Sequence, residues 1–349
     1  MVSFGDYHLD SGAGWSVYWR IPNPEGGGIE VWWADFQGKR VLWKGSQPIA
    51  FVPYHRPHPA PQPPGPEYCF KDGISPTGDG AAFTALKYTA PNSGAPWELG
   101  GSIYNATVDT EAVLVENEPG NAFHSAHLVI SAKFQCGWYQ YVQSWEFSSD
   151  GVIHPRVAMG GLLNPNARST AHVHHFYFRI DLDIDGYQSD VCEEFDHNSL
   201  NDPGGDSWSL ITNQSKRFAQ PSNARKWRIR DLVSKNQSGQ LRAYEIEVAQ
   251  IAGRDKYSTG DVWVTVYRGD DVQQGEDVGA DNTDSSLEDV YAVGPLDAEK
   301  GSDIVLWVVV RAHHVPRNEG EETKNLPYHY EEFSIVPCNF ADIRQTEIR

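Results

Sequence analysis

The chain reads as an all-β protein, a large antiparallel β-sandwich with few helices, and three observations carry that reading. Composition is the first: 12 Trp, 16 Tyr and 14 Phe stand among 32 Gly and 22 Pro in 349 residues. Such a mixture favours short strands of aromatic and β-branched side chains broken by turn formers. Alternation is the second, because WSVYWRI, IEVWWADF, KRVLWKG and PIAFVPY follow one another across residues 15–54 with Gly and Pro between them, the pattern of a β-meander. Persistence is the third. Strand-like runs resume after every loop as far as DIVLWVVVRAHHVP at residues 303–316, with no shift of composition to mark a second domain.

Taken in order, residues 55–66, HRPHPAPQPPGP, form an extended Pro-rich loop that cannot join a central strand. Strands are expected in AFTALKYTA, GSIYNAT, AVLVENE, AHLVISAKFQ, YQYVQSWEFS, VIHPRVAMG and HVHHFYFRIDLDI. Residues 187–225 are polar and rich in Gly, Asn and Ser, which predicts a long excursion with Glu193 and Glu194 on a solvated loop. KWRIRDL, RAYEIEVAQ and DVWVTVYR return to strand, and one short helix is expected near Ser285 to Ala292. The expectation is one domain over 1–349, with 1–13 and 342–349 as peripheral tails.

Charge narrows the function classes. The 47 acidic and 28 basic residues give a net charge of −19, which opposes nucleic acids and anionic membranes and suits cationic partners, an amine among them. No apolar run reaches the roughly 18 residues of a membrane span, and the N-terminus MVSFGDYHLDSG lacks the basic and apolar regions of a signal peptide; a cytoplasmic protein is expected. Cys69, Cys136, Cys192 and Cys338 are scattered and form no C-x-x-C pair, so neither a zinc ribbon nor a disulfide framework is indicated.

The densest chemistry lies in AHVHHFYFRIDLDIDG, residues 171–186. On a strand, residues i and i+2 share a face, so His172 and His174 can offer two imidazoles to one ion while Val173 and His175 face away. Imidazole suits zinc, copper, iron or nickel, whereas Asp181, Asp183 and Asp185 suit calcium or manganese. The same alternation also fits a polar face on an exposed strand. His313 and His314 end the apolar run of the late strand and can complete the histidine set.

At these residues the sequence resembles the catalytic domain of the copper amine oxidases. In that family H-x-H followed by F-R-[IL]-D-x-x-[VI]-D-G supplies two copper ligands, and a later H-x-P-R supplies the third; the matching residues are His172, His174 and His314. GWSVYWR with GKRVLWKGSQPIAFVPY, then NARKWRIRDL and GDVWVTVYRGDD, resemble further family segments, so the likeness runs over roughly residues 14 to 340. It corresponds to the family's large C-terminal β-sandwich domain, without the small N-terminal domains.

The resemblance also implies roles. HLVISAKFQCGWYQYVQSWEFSSDG resembles the segment whose tyrosine becomes topaquinone, with Tyr139 at the precursor position. Gln135, Trp138 and Gln140 stand where the family has Thr, Asn and an acid. For the catalytic base, aligning Phe70 with the family motif places Lys71 at the aspartate position, and a one-residue slip brings in Asp72, which also fits a plain turn. Asp181 and Asp183, with Asp303 eleven residues before His314, match a peripheral calcium- or manganese-type site completed by the carbonyls of Leu182 and Ile304. His175, His313 and Arg179 are expected to be structural, with Arg179 paired to a nearby carboxylate. The activity implied is oxidative deamination of a primary amine by dioxygen in a homodimer. The altered positions keep open a copper oxidase or oxygenase without the quinone, acting on a non-amine biosynthetic substrate, and a non-catalytic binding module stapled by metal.

Overall fold

The computed structural model describes residues 3–8, 14–21, 29–51, 84–85, 97–99, 102–104, 107–118, 121–136, 139–161, 171–197, 207–248, 253–254, 258–268, 292–315 and 326–340. In chain order the strands begin with Ser3–His8 (β1), Trp15–Ile21 (β2), Glu30–Phe36 (β3), Lys39–Phe51 (β4), Thr84–Ala85 (β5), Trp97–Leu99 (β6) and Ser102–Tyr104 (β7). Thr107–Glu118 (β8), Asn121–Cys136 (β9), Tyr139–Ser148 (β10), Ile153–Gly161 (β11), His172–Leu182 (β12) and Asp190–Asp196 (β13) follow. The last are Ser207–Leu210 (β14), Ser215–Arg217 (β15), Lys226–Lys235 (β16), Leu241–Glu247 (β17), Val262–Val266 (β18), Ile304–His314 (β19), Leu326–Glu332 (β20) and Ser334–Cys338 (β21). Among the described residues the one helical turn is the short 3-10 helix Pro221–Asn223; the helix expected near Ser285 falls almost wholly outside them. Among the described residues no helix is long and apolar enough to cross a membrane.

Two large antiparallel sheets result. One runs β1-β2-β3-β4-β12-β19-β18-β15, and the other runs β14-β13-β16-β17-β21-β11-β10-β9-β5, with β8 on β9 and β20 on β11. The meander expected over residues 15–54 is β2, β3 and β4, except that the two runs KRVLWKG and PIAFVPY merge into one 13-residue strand. Pro48 lies inside that strand where the register with β12 slips between Tyr177 and Arg179, the kind of irregularity at which a strand accommodates proline.

Alternation shows which faces meet. On β10 the residues Tyr141, Gln143, Trp145 and Phe147 are buried, while Val142, Ser144 and Glu146 between them are partly exposed. The buried set packs on the other sheet: Trp145 meets Phe178 edge-on at 6.1 Å and Tyr141 meets Phe176 at 5.4 Å. Gly45 allows this approach, since a Cβ there would lie 2.5 Å from the Trp145 ring. Two polar contacts also cross this core: Trp15 Nε1 donates to the Ser148 carbonyl at 2.7 Å and the Ile29 amide to Gln143 Oε1 at 2.8 Å.

β12 and β19 are central strands and bury almost every residue on both faces. That is why FYFRIDL and IVLWVVVRA read as nearly continuous apolar runs around a few polar side chains. The polar stretch 187–225 is not one solvated loop. β13, β14 and β15 lie within it, and Glu193 is only 6% exposed because Arg228 and Arg230 donate to its carboxylate at 2.5 and 2.8 Å. Trp227 Nε1 donates to Glu194 at 2.9 Å. A solvated position was the expectation for both acids; cross-strand partners on β16, distant in sequence, overturn it.

Candidate metal centre

The register between β12 and β19 assembles the histidines. His172 pairs directly with His314, and His174 stands opposite Ala312 one step further along the same face. Directly opposed residues bring their Cβ atoms to about 5 Å, and i+2 neighbours are close enough for rings to meet. The rings of His172 and His314 are 4.9 Å apart by centroid, and those of His172 and His174 are 5.0 Å apart. One nitrogen of each of His172, His174 and His314 lies within 4.8 Å of the other two, and all three residues are buried.

Two details orient the rings. Nε2 of His172 is 3.3 Å from Nδ1 of His314, close to the about 3.3 Å that separates two nitrogens bound to one tetrahedral ion at about 2.05 Å each. The Tyr141 hydroxyl lies 2.9 Å from Nδ1 of His174, which directs the opposite nitrogen, Nε2, to ligand duty. Burial, followed by the neighbouring His172, His314 and His175, holds the His174 imidazole well below its ordinary pKa. A neutral ring with a free electron pair is the form a metal needs. Phe176 stacks on His174 with an interplanar angle of 18° and closes the site from the core side.

His175 and His313 lie on the opposite face, as the alternation predicts. His175 is fully buried and receives a hydrogen bond from Arg311 Nε at 3.2 Å, and Arg311 is anchored to Asp261 at 2.6 Å. His313 is exposed. Both are structural or solvent residues rather than members of the triad.

The other end of the same strand pair collects carboxylates. Asp181 ends the β12–β19 ladder opposite Val305, Asp183 follows β12 and Asp303 precedes β19. One oxygen from each lies within 4.8 Å of the others. Arg179 pairs with Asp181 at 3.1 Å, as expected for this arginine. Burial, then the charges of Asp181 and Asp303, push the Asp183 carboxyl up to about 7. Asp185 does not join: its backbone turns to φ 62°, and its carboxylate accepts from Lys39 at 3.2 Å and Ser234 at 2.7 Å. Leu182 and Ile304 are buried beside the cluster, each 1% exposed.

Behind the cluster is Asp190, fully buried and unmarked by any motif. Neither of its carboxylate oxygens makes a well-formed hydrogen bond among the described residues. The Ile184 backbone is a weak favourable neighbour, outweighed by burial and by Asp231, Asp183 and Asp303, so its carboxyl is held well above the usual range.

Tyr139 opens β10, paired with Gly161 and Cys136; its side chain lies outside the described residues, as do Trp138, Lys71 and Asp72. Tyr141 matches the family segment in the sequence, but its contact with His174 was not foreseen there. Its signal was the Y-x-Y spacing, which places it two residues along β10 from Tyr139.

Comparison with known proteins agrees with this geometry. The sequence profile described as copper amine oxidase, enzyme domain, matches residues 114–347, about two thirds of the chain. A primary amine oxidase of Lens culinaris is 23% identical over 378 residues, covering 88% of this chain and 54% of that protein. Primary amine oxidase 2 of Arabidopsis thaliana is 26% identical over 253 residues, covering 62% and 37%. Thus the chain spans between about a third and a half of the length of these curated relatives. Among solved structures, a copper-containing benzylamine oxidase from Hansenula polymorpha superposes with a TM-score of 0.70 at 19% identity, covering 98% of this chain and 61% of that one. Profile, relatives and fold converge on one conclusion: the chain belongs to the copper amine oxidase family.

Proposed function

We propose that this chain is a copper-dependent oxidoreductase acting on a small-molecule amine, built as one β-sandwich domain. The observation that carries the reading is the buried three-imidazole cluster, with His172 Nε2 and His314 Nδ1 at 3.3 Å and His174 set by Tyr141. Imidazole nitrogens in a buried pocket suit copper among the borderline metals, and His172, His174 and His314 would hold it. When present, copper and a tyrosine-derived quinone supply the two-electron chemistry that turns a primary amine, dioxygen and water into aldehyde, ammonia and hydrogen peroxide. Tyr139 is the proposed quinone precursor. Tyr141 keeps the His174 ring oriented, with Nδ1–H donating to its hydroxyl oxygen so that Nε2 carries the free electron pair, while Phe176 packs against the ring.

At the far end of the strands, Asp181, Asp183 and Asp303, with the carbonyls of Leu182 and Ile304, are proposed to bind calcium or manganese and to fasten β12 to β19. Asp72 remains the candidate base. A homodimer, cytoplasmic placement and the amine class itself are drawn from the family likeness and composition; several relatives carry peroxisomal in their names.

A second reading keeps copper without topaquinone, favoured by Trp138 and Gln140 beside the precursor and Lys71 at the base position. Trp138 cannot accept the hydrogen bonds an asparagine accepts. One preparation separates the two. Copper is loaded under air, and absorption and peptide masses are compared with His172→Ala. A visible quinone band with a mass change confined to the Tyr139 peptide supports the first reading. Copper uptake without either change supports the second, and uptake no greater than in His172→Ala removes both and leaves a binding module.

A further inference from the structure

The carboxylate end opens into a pocket of about 270 Å³ lined by Asp181, Asp183 and Asp303 and by the rings of Trp43, Tyr187 and Tyr267. A bare ion does not need that room. At about 30 Å³ per water the space holds roughly nine waters, and it approaches the about 300 Å³ at which small-molecule pockets begin. Its walls are also wrong for an ion alone, because aromatic faces are poor ligands for a hard divalent cation and good partners for an organic one. All three rings are open to solvent, with Trp43 37%, Tyr267 40% and Tyr187 53% exposed.

Carboxylates outnumber the cations that face the pocket. Three carboxylates form the floor. Of the two nearby guanidiniums, Arg179 is already paired with Asp181 and Arg40 with Asp35. Both stack on the same walls, Arg40 at 5.7 Å from the Trp43 centroid and Arg179 at 5.6 Å from that of Tyr267, so these rings already attract cations.

We propose that this pocket binds an organic ammonium ion, with its nitrogen over Asp181, Asp183 and Asp303 and its carbon substituents against Trp43, Tyr187 and Tyr267. The site lies at the opposite end of β12 from the histidines, about 23 Å along the strand from His174 to Asp181 at 3.3 Å per residue. It is therefore independent of the copper reading. It shares its acids with the proposed calcium site, so divalent ion and ammonium exclude one another.

Choline is the probe, since its quaternary nitrogen cannot condense with a carbonyl cofactor, and 3,3-dimethylbutan-1-ol is its uncharged counterpart. By calorimetry on the full chain freed of divalent ions, choline binds, and the alcohol binds at least about tenfold more weakly. Tyr187→Ala, at a half-exposed residue that should not disturb folding, weakens choline by about threefold to thirtyfold. His172→Ala leaves choline binding unchanged, and calcium chloride lowers its apparent affinity. Equal binding of the alcohol, or full binding in Tyr187→Ala, overturns the proposal. Calcium binding with no choline binding also overturns it while leaving the metal reading intact. Choline binding without calcium binding supports it and removes the metal reading instead.

Discussion

The two ends of the β12–β19 strand pair use the same backbone device for opposite chemistry. At each end the antiparallel register brings three side chains to within 4.8 Å of one another. At the histidine end the ligands have an ordinary pKa below neutrality, so losing their protons makes them neutral and burial costs little; His174 sits fully enclosed beside Tyr141 and Phe176. At the aspartate end losing a proton creates a charge, and the same crowding raises Asp183 to about 7. That end accordingly keeps Arg179 alongside and a mouth open to solvent. Ligand charge at neutral pH, rather than strand geometry, decides which site can be dry.

The largest expected effect breaks the histidine end alone. His174→Ala should lower copper affinity by well over the about hundredfold that even outer partners of a metal cost, with calcium affinity unchanged, as titration with each ion would measure. Loss of both affinities would mean that the two ends are not separate. Next, Asp303→Asn removes one charge from the acidic end, and calcium binding should weaken by about a hundredfold while copper uptake holds. Smaller is Tyr141→Phe, which removes the hydroxyl on His174 Nδ1 and leaves the ring in place. Copper affinity should fall about tenfold with a change in thermal midpoint of only a few degrees; an unchanged affinity would show that the hydroxyl does not set the ring.

How much of this was legible in the sequence follows from how local each signal is. Alternation within a strand is local, so WSVYWRI, YQYVQSWEFS and the i, i+2 placement of His172 and His174 could be read directly. His314 and Asp303 are far away in sequence, and only the family likeness joined them to β12. The Y-x-Y spacing marked Tyr141 but not its role, because its contact crosses from one sheet to the other, and nothing local marked the partners of Glu193 and Glu194 on β16, which lie 33 to 37 residues away. Two adjacent acids in a polar stretch look solvated until a neighbouring strand supplies arginines. Asp185 misled for the converse reason: it continues the D-x-D spacing, but the chain has already left the strand and turned.

Asp190 offers the finest division between the ends, because it loads the acidic one without belonging to the trio. In the unfolded chain its carboxyl ionises near the ordinary value of about 3.9; in the folded protein burial and the charges of Asp231, Asp183 and Asp303 hold it protonated well above that. The folded state therefore binds more protons, and the associated stability is complete below about pH 4 and lost as pH rises toward the folded pKa. Asp183, raised to about 7, carries the same sign between about pH 4 and 7. Asn at position 190 keeps the shape and cannot ionise. Metal-free Asp190→Asn should thus match the parent near pH 4 and gain on it progressively with rising pH in denaturant melts, while copper affinity at the histidine end stays fixed. A gap that is constant across pH would mean that Asp190 acts by packing alone, and that the acidic end stores no charge to be relieved by a cation.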